Sequence, residues 1–240
     1  MYYTNNNFWI IGGADFCWSI LRSMRVKMNL KDLNLILKEI IENNKEIEFR
    51  NKKLKMVINA WIEVRRLILI SKKHDEVKSR ENWNVRVEDL KTLYLILEPN
   101  GQFWRTFEFE SPDSLNVVKE MEDLKEQIYL IKDLKSFFET ISYFYHRNYL
   151  EGTFGKATSL FFIFLMQAML IYKGYGPMIV FPKNFKELEI LGNYQNNFYM
   201  DIAGLSEIKW KRSEYFYKII DFWIEKSENY LNFIEKNYIE

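Results

Sequence analysis

The sequence predicts a mainly α-helical fold, in which a bundle of helices surrounds one central buried helix and a single short β-hairpin stands apart. Apolar residues recur at helical spacing along most of the chain, one short segment alternates as a strand does, and one apolar run is too short for a membrane span. At 240 residues, of which 48% are hydrophobic and 17% aromatic, the chain can bury a substantial core. We therefore expect one helical domain over residues 30–240, preceded by residues 1–29, whose role stays open.

Charge and cysteine content limit the classes of partner and compartment. Lys and Arg number 34 and Asp and Glu number 33, so a net charge of +1 gives no basic field for nucleic acid, and we predict no specific nucleic-acid partner. The single cysteine, Cys17, excludes an intramolecular disulfide and is expected to be an inert core thiol. A reducing compartment fits this composition, and we predict a cytoplasmic location.

Two apolar stretches are expected to pack inside the protein and not to enter a membrane. Residues 8–21 have no basic region before them, carry Asp15 and are too short to span a bilayer. Residues 160–172 fall well short of the ~20 that a span requires. This second run is predicted to be the central buried helix, and no membrane partner is expected.

The first half of the chain predicts three amphipathic helices and a strand. The helices are indicated by LKDLNLILKEIIENN, by KLKMVINAWIEVRRLILIS and by VRVEDLKTLYLILEPNGQF. The second should end where the polar SKKHDEVKSRENWN begins, which would place His74 in a solvated loop, and the third should stop at Pro99. FWRTFEFESPD then alternates as a strand does, so we expect a short hairpin or edge strand that ends at Pro112.

The second half predicts further helices in an unbroken series. SLNVVKEMEDLKEQIYLI begins with Ser114 as a candidate N-cap, and LKSFFETISYFYH follows as another helix. The glycines of KGYGPM should close the central helix, MIVFP should be short and extended, and RSEYFYKIIDFWIEKSENYLNFIEK should form a long final helix. No repeat or flexible linker divides the series, which favours one domain.

A glycine-rich stretch before the central helix is the candidate site. Gly152 and Gly155 permit backbone conformations that other residues disfavour, and a helix beginning near Ala157 would direct its free N–H groups at this turn. An anion could be held there, with Lys156 adding a positive charge. Three hydroxyls could either cap the helix or bind a phosphate oxygen: Thr153, Thr158 and Ser159.

The residues around this stretch leave two interpretations open. His146 and Glu151 lie just upstream, so that a base and a metal-binding carboxylate are at hand. Taken alone, the glycines and hydroxyls are better explained by ordinary capping of a helix. A P-loop is excluded, because that motif has four residues before its Gly-Lys pair while Gly152 and Gly155 enclose two, and because a helix, not a strand, is predicted before it.

The stretch resembles the Fic/Doc (Fido) family, whose motif His-Pro-Phe-x-Asp/Glu-Gly-Asn-Gly-Arg/Lys-x-x-Arg runs into a central helix. GQFWRTFEFES resembles the "G-x-Tyr-Arg" segment and flap hairpin of that family, and MQAMLIYKGYGPMIVF resembles the exit of its central helix. Roughly residues 85–236 follow the family's order of elements. The resemblance implies a Fic-like helical bundle that transfers a nucleotidyl (AMP-like) or other phosphate-linked group from ATP or another nucleotide, with Mg²⁺, to a protein hydroxyl.

Residue by residue, the match to the motif is partial. Tyr149 matches the motif Phe, and counting back from Glu151 places Arg147 at the catalytic His, with His146 one residue early. Thr153 replaces the Asn, and Phe154 looks like an insertion. The resemblance implies these roles: catalysis by His146 or Arg147; metal binding by Glu151; phosphate binding by Gly152, Thr153, Gly155, Lys156, Thr158 and Ser159; partner docking on a flap with Phe103, Arg105, Phe107 and Phe109.

Two hypotheses of different classes follow from this partial match. The first is a divergent Fic-like transferase, a protein adenylyltransferase-like enzyme acting on a protein substrate. The second is a Fic-like fold that has lost catalysis and works as a protein-interaction or regulatory module, with or without a bound nucleotide. In both hypotheses, the backbone of a partner protein would pair with the exposed flap strand. An ordinary hairpin that packs on the core would give the same sequence pattern. A homodimer is also left open.

Overall fold

The computed structural model of the chain describes residues 1–78, 83, 85–103 and 117–238. Within these ranges the protein is mainly helical, as the sequence predicts, and contains no β-strand. The predicted flap residues Arg105, Phe107 and Phe109 and the predicted cap Ser114 lie outside the described residues. In chain order the helices are α1 (Gly13–Ser23), α2 (Leu30–Ile41), α3 (Lys52–Lys78), α4 (Val87–Leu97), α5 (Val117–Leu130), α6 (Leu134–Glu151), α7 (Thr158–Lys173), α8 (Glu187–Ile202) and α9 (Glu214–Tyr238).

The chain forms two compact units. The first comprises Met1–Ile47, Leu134–Ser142 and Gly174–Glu240, and the second comprises Glu48–Asp133 and Tyr143–Lys173. Residues 1–29 are thus part of a folded unit. Helix α6 contributes residues to both units.

In the first unit, α1 packs against α2 and α8 packs against α9. Cys17 is fully buried in α1, as expected of a core thiol, and burial raises its pKa. The α9 residue Tyr230 donates a hydrogen bond of 2.8 Å from its hydroxyl to Asp15 Oδ2, and the burial of Asp15 raises the pKa of its carboxyl to about 6. An apolar core and a partly buried polar pair therefore help to hold the N-terminal segment in place.

Helix α3 in the second unit is longer than its sequence pattern indicates. The prediction that it ends in a loop at residue 71 is wrong, because α3 continues to Lys78 and places His74 within the helix. The polar end is anchored at Asp75, which is buried and accepts a 2.6 Å hydrogen bond from the Tyr172 hydroxyl of α7. Lys72 lies over the ring of Tyr172, with Nζ 4.1 Å from the ring centroid. The buried Asp75 thus fixes the polar C-terminal end of α3 to α7.

Helix α7 is the central buried helix that the sequence predicts. It packs against α3 and α4 of the same unit, and apolar residues line all of its sides. In the described chain, Gly155–Lys173 is the one segment whose length and composition would allow it to cross a membrane. Of its apolar window, 72% is buried inside the protein, as in the core helix of a folded domain.

The exit from α7 follows the predicted pattern, whereas the elements between this exit and the final helix α9 were not predicted. Gly174, with φ of 80°, ends the helix, and the residues from 175 to 181 have no regular secondary structure. Helix α8 and a short 3-10 helix, Glu207–Arg212, had no counterpart in the sequence prediction. The buried residues of α8 share a helical face that could have revealed it: Leu191, Phe198 and Ile202.

Candidate functional site

The segment between α6 and α7, residues 152–157, is called the glycine loop below. Helix α6 ends at Glu151, and Gly152 follows with φ of 62°. The Gly152 N–H donates to the carbonyl of Tyr149 and the Thr153 N–H donates to that of Asn148, both at 3.2 Å. These two bonds form the Schellman arrangement that ends many helices. Gly152 therefore has a structural role that needs no ligand.

The hydroxyl of Thr153 is engaged inside the protein. Thr153 is buried, and its Oγ1 donates a 2.9 Å hydrogen bond to Oδ1 of Asn148. Asn148 is itself fully buried and donates from Nδ2 to the carbonyl of Phe144 at 2.9 Å. Thr153 thus closes a buried polar chain at the end of α6.

Phe154, the apparent insertion, anchors the loop in the core. Its side chain is fully buried, and its ring centroid lies 4.5 Å from that of Phe161 and 5.9 Å from that of Phe162 on α7. The ring of Tyr94 on α4 lies 5.1 Å away. Phe154 is therefore an aromatic anchor at the centre of the glycine loop.

Gly155 is held in a tight backbone position. Its φ is 54°, its N–H donates to the Gly152 carbonyl at 2.7 Å, and a Cβ at this position would lie 2.5 Å from the ring of Phe103. Phe103 is the one predicted flap residue that the structure describes, and its N–H donates to the Tyr94 hydroxyl at 2.7 Å. The structure thus brings Phe103 against the glycine loop.

The two hydroxyls at the start of α7 are also used within the protein. Oγ1 of Thr158 accepts from the Phe154 N–H at 2.9 Å and donates to the Gly155 carbonyl at 2.8 Å. Oγ of Ser159 lies 3.2 Å from the hydroxyl of Tyr145. Lys156, between them and the glycines, is exposed to solvent. Capping thus explains Thr158 without a phosphate.

Arg147 lies at the centre of a small charge cluster. Its Nη1 is 3.1 Å from Oε1 of Glu120 on α5, and its Nε is 3.5 Å from Oε1 of Glu151, one helical turn along α6. The side chains of Arg147 and Glu151 are 34% and 30% exposed. Glu120 could not be identified from its position in the sequence, since only the tertiary fold brings it to Arg147. The structure therefore joins two of the predicted site residues, Arg147 and Glu151, in one ion pair.

His146 is separated from solvent. The residue is 1% exposed, and burial lowers the pKa of its imidazole to about 3, because a charged ring would lose its hydration. Its ring centroid lies 5.1 Å from that of Tyr145. At neutral pH, His146 is a neutral side chain of the core.

The glycine loop therefore presents few free donors to an anion. Backbone N–H groups of five residues already donate to acceptors within the chain: Gly152, Thr153, Phe154, Gly155 and Ala157. In the part of the chain that the structure describes, no group of three or more His, Cys, Asp or Glu side chains could hold a metal ion. Glu151 offers one carboxylate, and a metal ion would have to compete with Arg147 for it.

The comparisons with known proteins leave this geometry as the main guide to function. No model of a protein family matches the chain, and neither a curated protein nor a solved structure is significantly similar to it.

Proposed function

We propose that this chain is a divergent Fic-like domain that acts as a protein-interaction or regulatory module and does not transfer a group. The ion pair between Arg147 and Glu151 carries the proposal. In the family that the sequence resembles, these positions hold the catalytic base and the metal-binding acid. Arginine stays protonated and cannot accept a proton from a hydroxyl, and a carboxylate paired with a guanidinium is a weakened metal ligand.

His146 is a poor replacement for the base at the Arg147 position. A general base must come within hydrogen-bonding distance of the proton that it removes, and this imidazole is 1% exposed. Its pKa of about 3 also lies far below the range near neutral pH in which a base works best. General-base assistance is worth about 10²–10⁴ in rate, so its loss removes a large part of the catalysis.

The glycine loop does not fit a nucleotide with Mg²⁺ in its present conformation. The N–H groups of five of its six residues and the hydroxyls of Thr153 and Thr158 are bound within the chain, and Glu151 is paired with Arg147. Phosphate recognition requires several donors that point outward together. In this conformation the loop therefore does not support transfer of a phosphate-linked group.

A transferase is the second candidate, and the exposure of two side chains favours it. Lys156 is exposed and Glu151 is 30% exposed, and they lie on either side of Gly152 and Gly155 along the chain. A nucleotide that rearranged the loop would find a cation and a carboxylate within a few residues of each other. ATP or another nucleotide with Mg²⁺ would be the cofactor of such an enzyme, and a protein hydroxyl its acceptor.

Thermal unfolding with nucleotides separates the two candidates. ATP, GTP, UTP and CTP, each with and without Mg²⁺, are added to wild type, to Lys156→Ala and to Lys73→Ala, which removes an exposed lysine of α3 in the same unit. A ligand that binds the native state raises Tm. The module predicts no Mg²⁺-dependent rise in any variant. A Mg²⁺-dependent rise that Lys156→Ala abolishes and Lys73→Ala keeps would instead establish the transferase-type site.

A capture experiment tests the interaction itself. Under the proposal, protein partners retained by wild type are also retained by Glu151→Ala, and they are lost by Phe107→Ala in the predicted flap. Equal retention by the flap variant would remove the flap as the docking element. Loss of partners in Glu151→Ala, together with covalent modification of those partners by wild type, would favour the transferase.

A further inference from the structure

An open cleft in the first unit lies where α1 ends and α2 begins. Its volume is about 410 Å³, within the range of about 300–1,000 Å³ that is usual for small-molecule sites. The residues that line it combine apolar and cationic side chains: Trp18, Arg22, Val26, Lys27, Met28 and Asn29. Because this composition suits a ligand with an apolar part and an anionic part, we call it the cationic cleft.

The apolar wall of the cationic cleft is held in position. The indole N–H of Trp18, in the middle of α1, donates to the carbonyl of Met28 at 3.1 Å and so ties α1 to the residue two places before α2. The ring of Phe185 packs edge-on against that of Trp18, with a centroid separation of 5.4 Å. Asn29 caps α2, with its Oδ1 accepting from the Lys31 N–H at 2.9 Å. A ligand would therefore meet a preformed surface, which lowers the entropic cost of binding.

The same segment carries an uncompensated positive charge. From residue 22 to residue 31 there are four cations and no acid, and all four cations are exposed: Arg22, Arg25, Lys27 and Lys31. Among the described residues, no carboxylate lies within ion-pair distance of Arg22 or Lys27; the described ion pairs all involve other side chains. The charge is local, because the whole chain carries only +1. Two cations are thus left to act on an anion in the cationic cleft.

We propose that the cationic cleft binds an organic phosphate, that is, a phosphate group joined to an apolar or aromatic group. Arg22 and Lys27 would bind the phosphate oxygens, since a guanidinium offers paired donors and an ammonium a mobile point charge. The apolar part would lie against Trp18, Val26 and Met28. The proposal is independent of the glycine loop, which lies in the other unit of the chain.

Calorimetric titration with three soluble probes tests the chemistry of the ligand. The probes are phenyl phosphate, inorganic phosphate and phenol. Phenyl phosphate should bind saturably and about tenfold more tightly than inorganic phosphate, because burial of a phenyl ring adds an apolar contribution. Phenol alone should bind more weakly than phenyl phosphate. Equal affinities for the two phosphates, or no saturable binding of phenyl phosphate, would overturn the proposal.

A matched pair of double variants tests the location of the site. Arg22→Gln/Lys27→Gln removes the two cations of the cleft, and Arg25→Gln/Lys31→Gln removes the same charge from exposed positions outside it. The first variant should weaken phenyl phosphate binding about tenfold or more, since contacts to a charged group are lost, and the second should stay within about twofold. An equal loss in both would show attraction by net charge alone and would contradict the proposed site. Unchanged Tm in both variants confirms that folding is retained.

Vesicles distinguish the two sources of an organic phosphate. Phosphatidylcholine vesicles with and without phosphatidic acid are tested for sedimentation with wild type and with both double variants. Binding that requires phosphatidic acid, is lost in Arg22→Gln/Lys27→Gln and is displaced by phenyl phosphate supports a lipid headgroup as the source. Saturable binding of phenyl phosphate without vesicle binding supports a soluble metabolite.

Discussion

The glycine loop and the cationic cleft differ in how much of their polar chemistry is already used by the protein. The loop has the residue types of an anion site, yet the hydroxyls of Thr153 and Thr158 and most of its N–H groups bind within the chain. The cleft has no recognisable motif, yet Arg22 and Lys27 are exposed there beside an ordered apolar wall. A polar group that is satisfied internally stabilises the fold, and only one that is left unsatisfied is available to a ligand.

The largest expected effect tests whether the glycine loop is a structural element. Phe154→Ala removes a fully buried ring that contacts Tyr94, Phe161 and Phe162. Such truncations cost about 3–5 kcal/mol, through lost burial and a residual cavity. Urea unfolding should therefore show a loss in this range. A loss below about 1 kcal/mol would mean that the loop is loosely held and free to rearrange around a ligand, which would favour the transferase.

Two glycine substitutions separate backbone strain from close packing. Both positions have positive φ, but a Cβ at Gly155 would lie 2.5 Å from Phe103, whereas nothing lies within 4 Å of a Cβ at Gly152. Gly152→Ala should cost about 1–2 kcal/mol, from the left-handed conformation alone. Gly155→Ala should cost about 1–2 kcal/mol more, because Phe103 must also move. Equal losses in urea unfolding would contradict the packing of Phe103 on the loop.

The pH dependence of stability tests the burial of His146. Its native pKa of about 3 lies below its ordinary value of 6.5, so the unfolded chain binds the proton more readily. The contribution of buried His146 to the free energy of unfolding is complete above pH 6.5. It falls as the pH drops toward 3, by up to about 1.4 kcal/mol per pH unit. His146→Phe should flatten this slope in urea unfolding series, and His146→Gln is the second variant if the larger ring does not fit.

Asp15, in the other unit, is the control for that slope. The native pKa of Asp15, about 6, lies above its ordinary value of 3.8. Its contribution to the free energy of unfolding is therefore complete below pH 3.8 and is lost as the pH rises through 6. The two groups therefore oppose each other between about pH 4 and 6, and Asp15→Asn should steepen the slope that His146→Phe flattens. A wild-type slope that neither variant changes would mean that other groups determine the acid response.

Local spacing in the sequence predicted the helices well, and it failed where long-range contacts decide. Helices α2, α4 and α9 follow from their apolar periodicity, because one face of each is buried, and α7 follows from its continuous apolar run. The polar end of α3 was assigned to a loop, since its periodicity is lost where Asp75 takes a buried position that only Tyr172 makes favourable. Propensity and spacing contain no information about such a partner.

The candidate site shows the same division between local and long-range information. The sequence indicated the turn at Gly152 and the start of α7 near Ala157, which depend on a few neighbouring residues. It could not show that Phe154 is buried under Tyr94, or that Glu120 pairs with Arg147 across two helices. Those contacts determine whether the motif residues are available for chemistry.

The smallest expected effect on stability is that of the ion pair on which the proposed function rests. Arg147→Gln removes contacts to Glu120 and Glu151, and partly exposed pairs of this kind are worth about 0.2–1 kcal/mol. Lys38→Gln, which breaks the exposed i,i+4 pair with Glu42 on α2, should cost less than Arg147→Gln in the same urea assay. Removal of the guanidinium also frees the Glu151 carboxylate for a metal ion. Because folding stays nearly intact, the variant can be tested for nucleotide binding. If Arg147→Gln gains a Mg²⁺-dependent rise in Tm with a nucleotide while Lys38→Gln does not, the ion pair is what keeps a latent nucleotide site closed; if neither variant gains one, the loop geometry alone excludes the nucleotide.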